Sequence, residues 1–178
     1  PQFRNNWASH MKAFGPILKD AFAEDPQARV ALCAALTHIT AKKQPQALLK
    51  LNGLQKHLVT DADKAAFFFA MGLFCEYAGK FDEMAALYNQ ANELRHRFYL
   101  PYLKVARAAH MDAAYDVAAE NYEIGIDCLR QGEYNDQIRV MLGSVCSNFA
   151  AALTMMHRFE DAHAMLDASM DYMPVLPG

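Results

Sequence analysis

The feature that most limits how this chain can fold is a set of agreements between residues 34 positions apart. Phe81 falls on Tyr115, Phe68 on Tyr102, Met71 on Val105, Gly72 on Ala106, Tyr88 on Tyr122 and Ala91 on Gly125, each pair matching in size or aromatic character. Helices of an ordinary bundle have no reason to share a register, whereas a copied supersecondary unit keeps one. A further shift of 44 carries Tyr115 to Phe159, Ala118 to Ala162, Tyr122 to Leu166, Tyr102 to Cys146 and Ala106 to Ala150. A third copy is therefore expected, with ten extra residues between Gly125 and Cys146.

The unit being copied is helical. Good helix formers dominate nearly every window, Val, Ile and Thr are sparse, and only eight Gly and seven Pro interrupt 178 residues. An all-α chain follows. Breakers divide it into a first block to about residue 24, with a break at Gly15-Pro16 and a close at Asp25-Pro26, and then blocks at about 27–42, 45–59, 62–77, 81–95, 99–111, 114–131, 135–156 and 159–172. Pro45 suits a first helical turn and Thr60-Asp61 reads as a cap. The stretch AAFFFAMGLFCEY is apolar all round, as expected of a central helix. Short links between blocks require antiparallel helix hairpins.

With its period and its order of residue types, the pattern resembles the tetratricopeptide repeat family, whose unit places small residues where two helices cross closely and aromatic residues around them. The first copy supplies Phe68, Met71, Gly72, Cys75, Gly79, Phe81, Tyr88 and Ala91, and the second supplies Tyr102, Val105, Ala106, Tyr115, Ala118, Tyr122 and Gly125. The third supplies Cys146, Phe149, Ala150, Leu153, Phe159, Ala162, Leu166 and Pro174. Met84 departs from the family's alanine, and His96 and Arg130 stand where a proline commonly closes the unit. The resemblance implies a right-handed α-α superhelix of antiparallel hairpins, about nine helices in all.

Residues 1–64 are read as N-terminal helices with a degenerate capping hairpin, in which the same register puts Ala47 at the aromatic position and Leu54 over Tyr88. Residues 65–178 then hold three repeats at about 65–98, 99–132 and 143–176, with an insertion near 126–145. MPVLPG follows the last repeat, so Phe159, Met165, Leu166 and Met170 have no further helix to cover them. Either the chain continues, or this face meets a second copy.

No catalytic signature is present: no H-E-x-x-H, no glycine-rich phosphate loop, no G-x-S-x-G and no nucleophilic cysteine context. Cys33, Cys75, Cys128 and Cys146 are far apart, and His157 and His163, the nearest histidine pair, lack further ligands at helical spacing. We therefore expect no metal, no cofactor and no enzymatic activity. A net charge of −3 argues against direct nucleic-acid binding, although residues 1–60 hold eight Lys/Arg against three Asp/Glu. No run approaches the 18 or so apolar residues of a membrane span, and a cytoplasmic location is expected.

In the family, partners usually lie in a groove lined by the first helix of each hairpin. Carried over residue by residue, that groove comprises Phe69, Leu73, Glu76 and Tyr77 in the first copy, Leu103, Lys104, Arg107, His110 and Met111 in the second, and Ser147, Asn148, Ala151, Thr154 and Met155 in the third. Lys104, Arg107 and His110 recur at helical spacing beside apolar Leu103 and Met111, a surface suited to an acidic or C-terminal peptide. A fixed Lys/Asn/Arg clamp used by one subclass for chaperone tails is absent, because Phe69 and Leu73 occupy two of its positions. The implied role is a protein- or peptide-binding scaffold. The alternative is a sensor or regulatory segment of a larger signalling or transcription-regulating protein.

Overall fold

The computed structural model describes residues 2–95, 98–132 and 134–172, with the side chains of residues 2–7 and 16 outside that description. Among the described residues all regular structure is helical. The helices are α1 (Gln2–Leu18), α2 (Pro26–Thr40), α3 (Gln44–Leu54), α4 (Asp61–Tyr77), α5 (Phe81–Leu94), α6 (Tyr99–Met111), α7 (Tyr115–Gln131), α8 (Asp136–Met155) and α9 (Phe159–Tyr172). The block expected to run to residue 59 stops at Leu54 and gives way to a 3₁₀ turn over Gln55–His57. Within α1, Phe14 leaves helical geometry (φ −131°). A proline two residues on cannot donate to the helix ladder, and this puts the break where Gly15-Pro16 indicated.

One turn recurs four times. Three residues link α2 to α3, α4 to α5, α6 to α7 and α8 to α9, and the middle one is left-handed each time: Lys42 (φ 56°), Gly79 (φ 74°), Ala113 (φ 59°) and His157 (φ 58°). At each turn the left-handed residue's amide donates to a carbonyl three residues back, as in Gly79 N to Glu76 O at 3.2 Å. The next amide donates five residues back, as in Lys80 N to Cys75 O at 2.9 Å, Lys43 N to His38 O, Ala114 N to Ala109 O and Arg158 N to Leu153 O. This is the Schellman motif, in which the closing amides satisfy carbonyls the helix end would otherwise leave unpaired. The entries to α2, α4 and α8 are capped by side chains instead: Asp25, Thr60 and Asn135 each accept from an amide in the first turn.

The turns correct the register of the first hairpin. Lys42 and Gly79 are equivalent, which makes the local offset 37 rather than 34. Leu51, not Leu54, therefore stands over Tyr88, and Ala47 stands over Met84; all four side chains are buried. Even at this offset Gln44 stands on Phe81 and Ala31 on Phe68, so the hairpin still departs from the repeat pattern. The ten extra residues of the last copy are equally concrete. The connections Arg95–Phe98 and Gly132–Asn135 have equal length, while α7 has 17 residues against 14 in α5 and α8 has 20 against 13 in α6. The expected insertion is thus added helix at both ends of an unchanged link.

The chain divides into two compact units, Pro1–Pro101 and Tyr102–Gly178. In the first, α2–α3 and α4–α5 form hairpins and α1 packs against α2 and α4. Its centre is Tyr88, which is wholly buried with its ring over Gly72; a β-carbon added at Gly72 would lie 2.5 Å from Tyr88 Cε1. The Tyr88 hydroxyl donates to Glu76 Oε2 at 2.9 Å, and its ring packs on Phe69 at 5.6 Å. In the second unit the knob and hole change places. Gly125 of α7 receives Leu103 of α6, whose Cδ2 would be 2.5 Å from a β-carbon there. Ser169 of α9 is buried and donates to the Gly143 carbonyl of α8 at 2.8 Å.

By length and composition α8 could cross a membrane, which no stretch of the sequence had been expected to do. Its apolar character is used inside the unit: Leu142, Val145, Cys146, Phe149, Ala150 and Leu153 are buried, and the helix packs against both α7 and α9.

A left-handed alanine is strained by about 1–2 kcal/mol, and glycine removes that strain at the cost of about 0.5–1 kcal/mol of chain entropy. Ala113→Gly should therefore raise stability slightly and Gly79→Ala lower it by about 1 kcal/mol, as read by urea denaturation. Gly72→Leu should unfold the first unit through overpacking against Tyr88, with loss of the cooperative melt.

Candidate binding surface

The expected groove divides into side chains the fold consumes and side chains it leaves outward. In the first unit, Phe69 and Leu73 are core residues, 0% and 2% exposed, and cannot line a surface. Over Phe69 lies α1, which packs on the first helices of both hairpins: the Phe14 ring meets Phe69 edge-on at 5.4 Å, and His10 Nε2 stands 3.0 Å from Thr37 Oγ1. The face a partner would use in this unit is filled by the chain itself. Glu76 is held by the Tyr88 hydroxyl. Burial, with the Glu76 carboxylate beside it, pushes the Tyr88 phenol far above its ordinary range. Tyr77 stays exposed, and its carbonyl accepts from Gln44 Nε2 at 3.4 Å.

In the second unit Leu103 fills the space over Gly125. His110 is half-buried and stands edge-on to Tyr115 and Tyr122, at 5.6 and 6.3 Å, so it leaves the expected cationic stripe for the hairpin's own packing. Lys104 is half-buried as well. Arg107 is exposed, one turn before Met111 at 73% exposure; burial pushes the Tyr122 phenol up, and the nearby Arg107 guanidinium offsets only part of that rise. On α8, Asn148, Ala151 and Thr154 are exposed and Met155 is 54% exposed, while Ser147 is half-buried. In this unit Arg107 and Met111 on one first helix, and Asn148, Ala151, Thr154 and Met155 on the other, are thus the outward part of the expected set.

A different site was missed. In the first unit a cavity of about 350 Å³ is lined by Phe22, Asp25, Lys56, His57, Thr60 and Asp63 among others. Asp25 caps α2 by accepting from Ala28 N at 2.9 Å and places its other oxygen 2.7 Å from His57 Nδ1. The Ala28 amide is the first cause of its carboxyl lying below the usual range. Asp63 forms a capping box with Thr60 and also accepts from the amide of left-handed Phe22 at 2.6 Å. Burial raises the Asp63 carboxyl, but the Thr60 and Phe22 amides outweigh it and hold the group below its ordinary value. The caps were visible in Asp25-Pro26 and Thr60-Asp61. Their second partners, 32 and 41 residues away, were not.

Among the described residues no group of three His, Cys, Asp or Glu side chains is placed to hold a metal ion. None of the four cysteines forms a disulfide, and burial pushes the thiols of Cys33, Cys75 and Cys146 up. Pro174 lies outside the described residues, as do His96 and Arg97.

The architecture is that of known helical-repeat proteins. The chain resembles the solved structure of MamA AMB-1 with a TM-score of 0.62 and 18% identity, over 96% of this chain and 89% of that one. It resembles MamA MSR-1 with a TM-score of 0.60 and 17% identity, over 96% and 94%. No family model matches the sequence, and no curated protein matches it. The structural likeness shows the fold: an all-α, tetratricopeptide-like helical repeat.

Because the folded Asp63 carboxyl is depressed, its stabilisation is present above the unfolded value of about 3.9 and is lost as pH falls below it. Thermal melts from pH 7 to pH 3 should show an acid-side loss of stability that Asp63→Asn flattens. Phe14→Ala, which uncovers Phe69, should cost roughly 2 kcal/mol, less than a fully buried aromatic because Phe14 is half-buried.

Proposed function

We propose that this protein is an interaction scaffold that binds a protein or peptide on the outward side of α6 and α8, and that the segment it prefers is acidic. The observation that carries this reading is the exposure, on the first helices of two successive hairpins, of Arg107 and Met111 on one and of Asn148 and Met155 on the other. None of the four fills its own hairpin. Methionine adapts to varied apolar partners, and arginine supplies a planar, bidentate donor for carboxylates. The fold supports binding rather than catalysis, since it belongs to an architecture whose hairpins present surfaces.

The reading includes a reducing compartment such as the cytoplasm, supported by four separate thiols. It involves neither nucleic acid nor membrane, in keeping with a net charge of −3 and with an α8 that buries Leu142, Val145, Cys146, Phe149 and Leu153 within its own unit.

Fluorescence anisotropy with a labelled acidic peptide tests the assignment. Arg107→Glu should weaken binding about tenfold or more, and Met111→Ala with Met155→Ala should weaken it further. Both variants should melt close to wild type, since exposed substitutions usually change stability by no more than about 0.5 kcal/mol. Unchanged affinity in Arg107→Glu would rule out this surface, and a collapse of stability would make Arg107 structural.

A further inference from the structure

On α9, Phe159, Leu166 and Met170 are 61%, 47% and 64% exposed. At about 100° per residue these three and His163 fall on one stripe of the helix. One edge of the stripe borders the buried side, where Ala162 and Ser169 meet α8. Along the other edge runs a row of exposed carboxylates, Glu160, Asp167 and Asp171.

The same arrangement exists one hairpin earlier, and there it is occupied. A shift of 44 residues places Tyr115, Ala119, Tyr122 and Ile126 of α7 on Phe159, His163, Leu166 and Met170. It also places Asp116, Glu123 and Asp127 on Glu160, Asp167 and Asp171. Ala119, Tyr122 and Ile126 are buried, α8 packs on α7, and the Tyr122 ring lies 6.0 Å from that of Phe149. The fold therefore supplies its own example of what this stripe receives: a helix laid along it, bringing an aromatic side chain against position 166.

Charge narrows the occupant. Beside the stripe, Arg158 is paired with Asp161 at 2.7 Å, and His163 Nδ1 stands 3.2 Å from Asp167 Oδ2. A second copy of α9 laid antiparallel would bring the same carboxylate row against this one, and like charges in apposition weaken association. We infer that the open stripe of α9 docks an amphipathic helix of a partner protein, its apolar face flanked by lysine or arginine. This surface is separate from the α6–α8 surface, and neither reading depends on the other.

Two designed helical peptides test it on the full chain by isothermal titration. They share one phenylalanine- and leucine-bearing face and differ in flanking residues, lysine and arginine in one and glutamate in the other. The basic-flanked peptide should bind about tenfold or more tighter at low salt, with the gap narrowing at about 0.5 M salt. Leu166→Asp should abolish the binding. Glu160→Lys with Asp167→Lys and Asp171→Lys should reverse the preference, and these exposed positions leave folding intact as read by the melt. Equal affinity for both peptides, binding of neither, or insensitivity to Leu166→Asp would overturn the proposal. Sedimentation showing a dimer that Leu166→Asp dissociates would give the face to a second copy, and would overturn it too.

Discussion

Everything in this molecule hangs on a three-residue turn. With a left-handed residue at its centre and two amides folded back on the preceding helix, the turn leaves consecutive helices antiparallel and closely apposed. Close apposition demands small residues at the crossing, and the fold meets that demand with Gly72 beneath Tyr88 in one unit and Gly125 beneath Leu103 in the other. Only one of the four turns uses glycine. The strain at Lys42, Ala113 and His157 is tolerated because the hairpins around them bury enough apolar surface to over-determine the geometry.

A helix hairpin has two faces to cover, and the two units cover them differently. In the first, α1 lies on α2 and α4, so side chains that family resemblance would assign to a partner become core. The burial of Phe69 needs no unusual residue at that position; it follows from Phe14 and Tyr88 arriving from other helices. In the second unit the outward parts of α6 and α8 stay open, as does the stripe on α9. Binding capacity is therefore a property of which hairpin faces remain uncovered more than of any motif on them.

The 34-residue offset made the hairpins of α4–α5 and α6–α7 legible, because residues that fill one hairpin recur where the next needs them. The offset of 37 at the first hairpin hid, since Ala47, Leu51 and Leu54 are all apolar and a shifted register still finds a plausible residue at each position. The lengthening of α7 and α8 was detected as ten residues but not located, because helix formers continue across both ends of the link. Of the candidate surface, Arg107, Met111, Asn148 and Met155 were expected from the groove positions that the family resemblance implies, and all four are exposed. His110 was misread, because a histidine at a groove position looks the same whether it faces solvent or two tyrosine rings.

By itself the sequence determined the helical class, the hairpin as the unit and the small residues at its crossings. These are local or short-range demands, set by backbone propensity and by side-chain size at fixed spacing. The tertiary structure alone decided which faces stay open. It brought Phe14 onto Phe69, the Asp63 carboxylate to the Phe22 amide, and Asp25 to His57. Contacts across 32 to 55 residues leave no periodic trace in the chain, so a side chain's partner, and with it the difference between core and surface, appears only once the helices are packed.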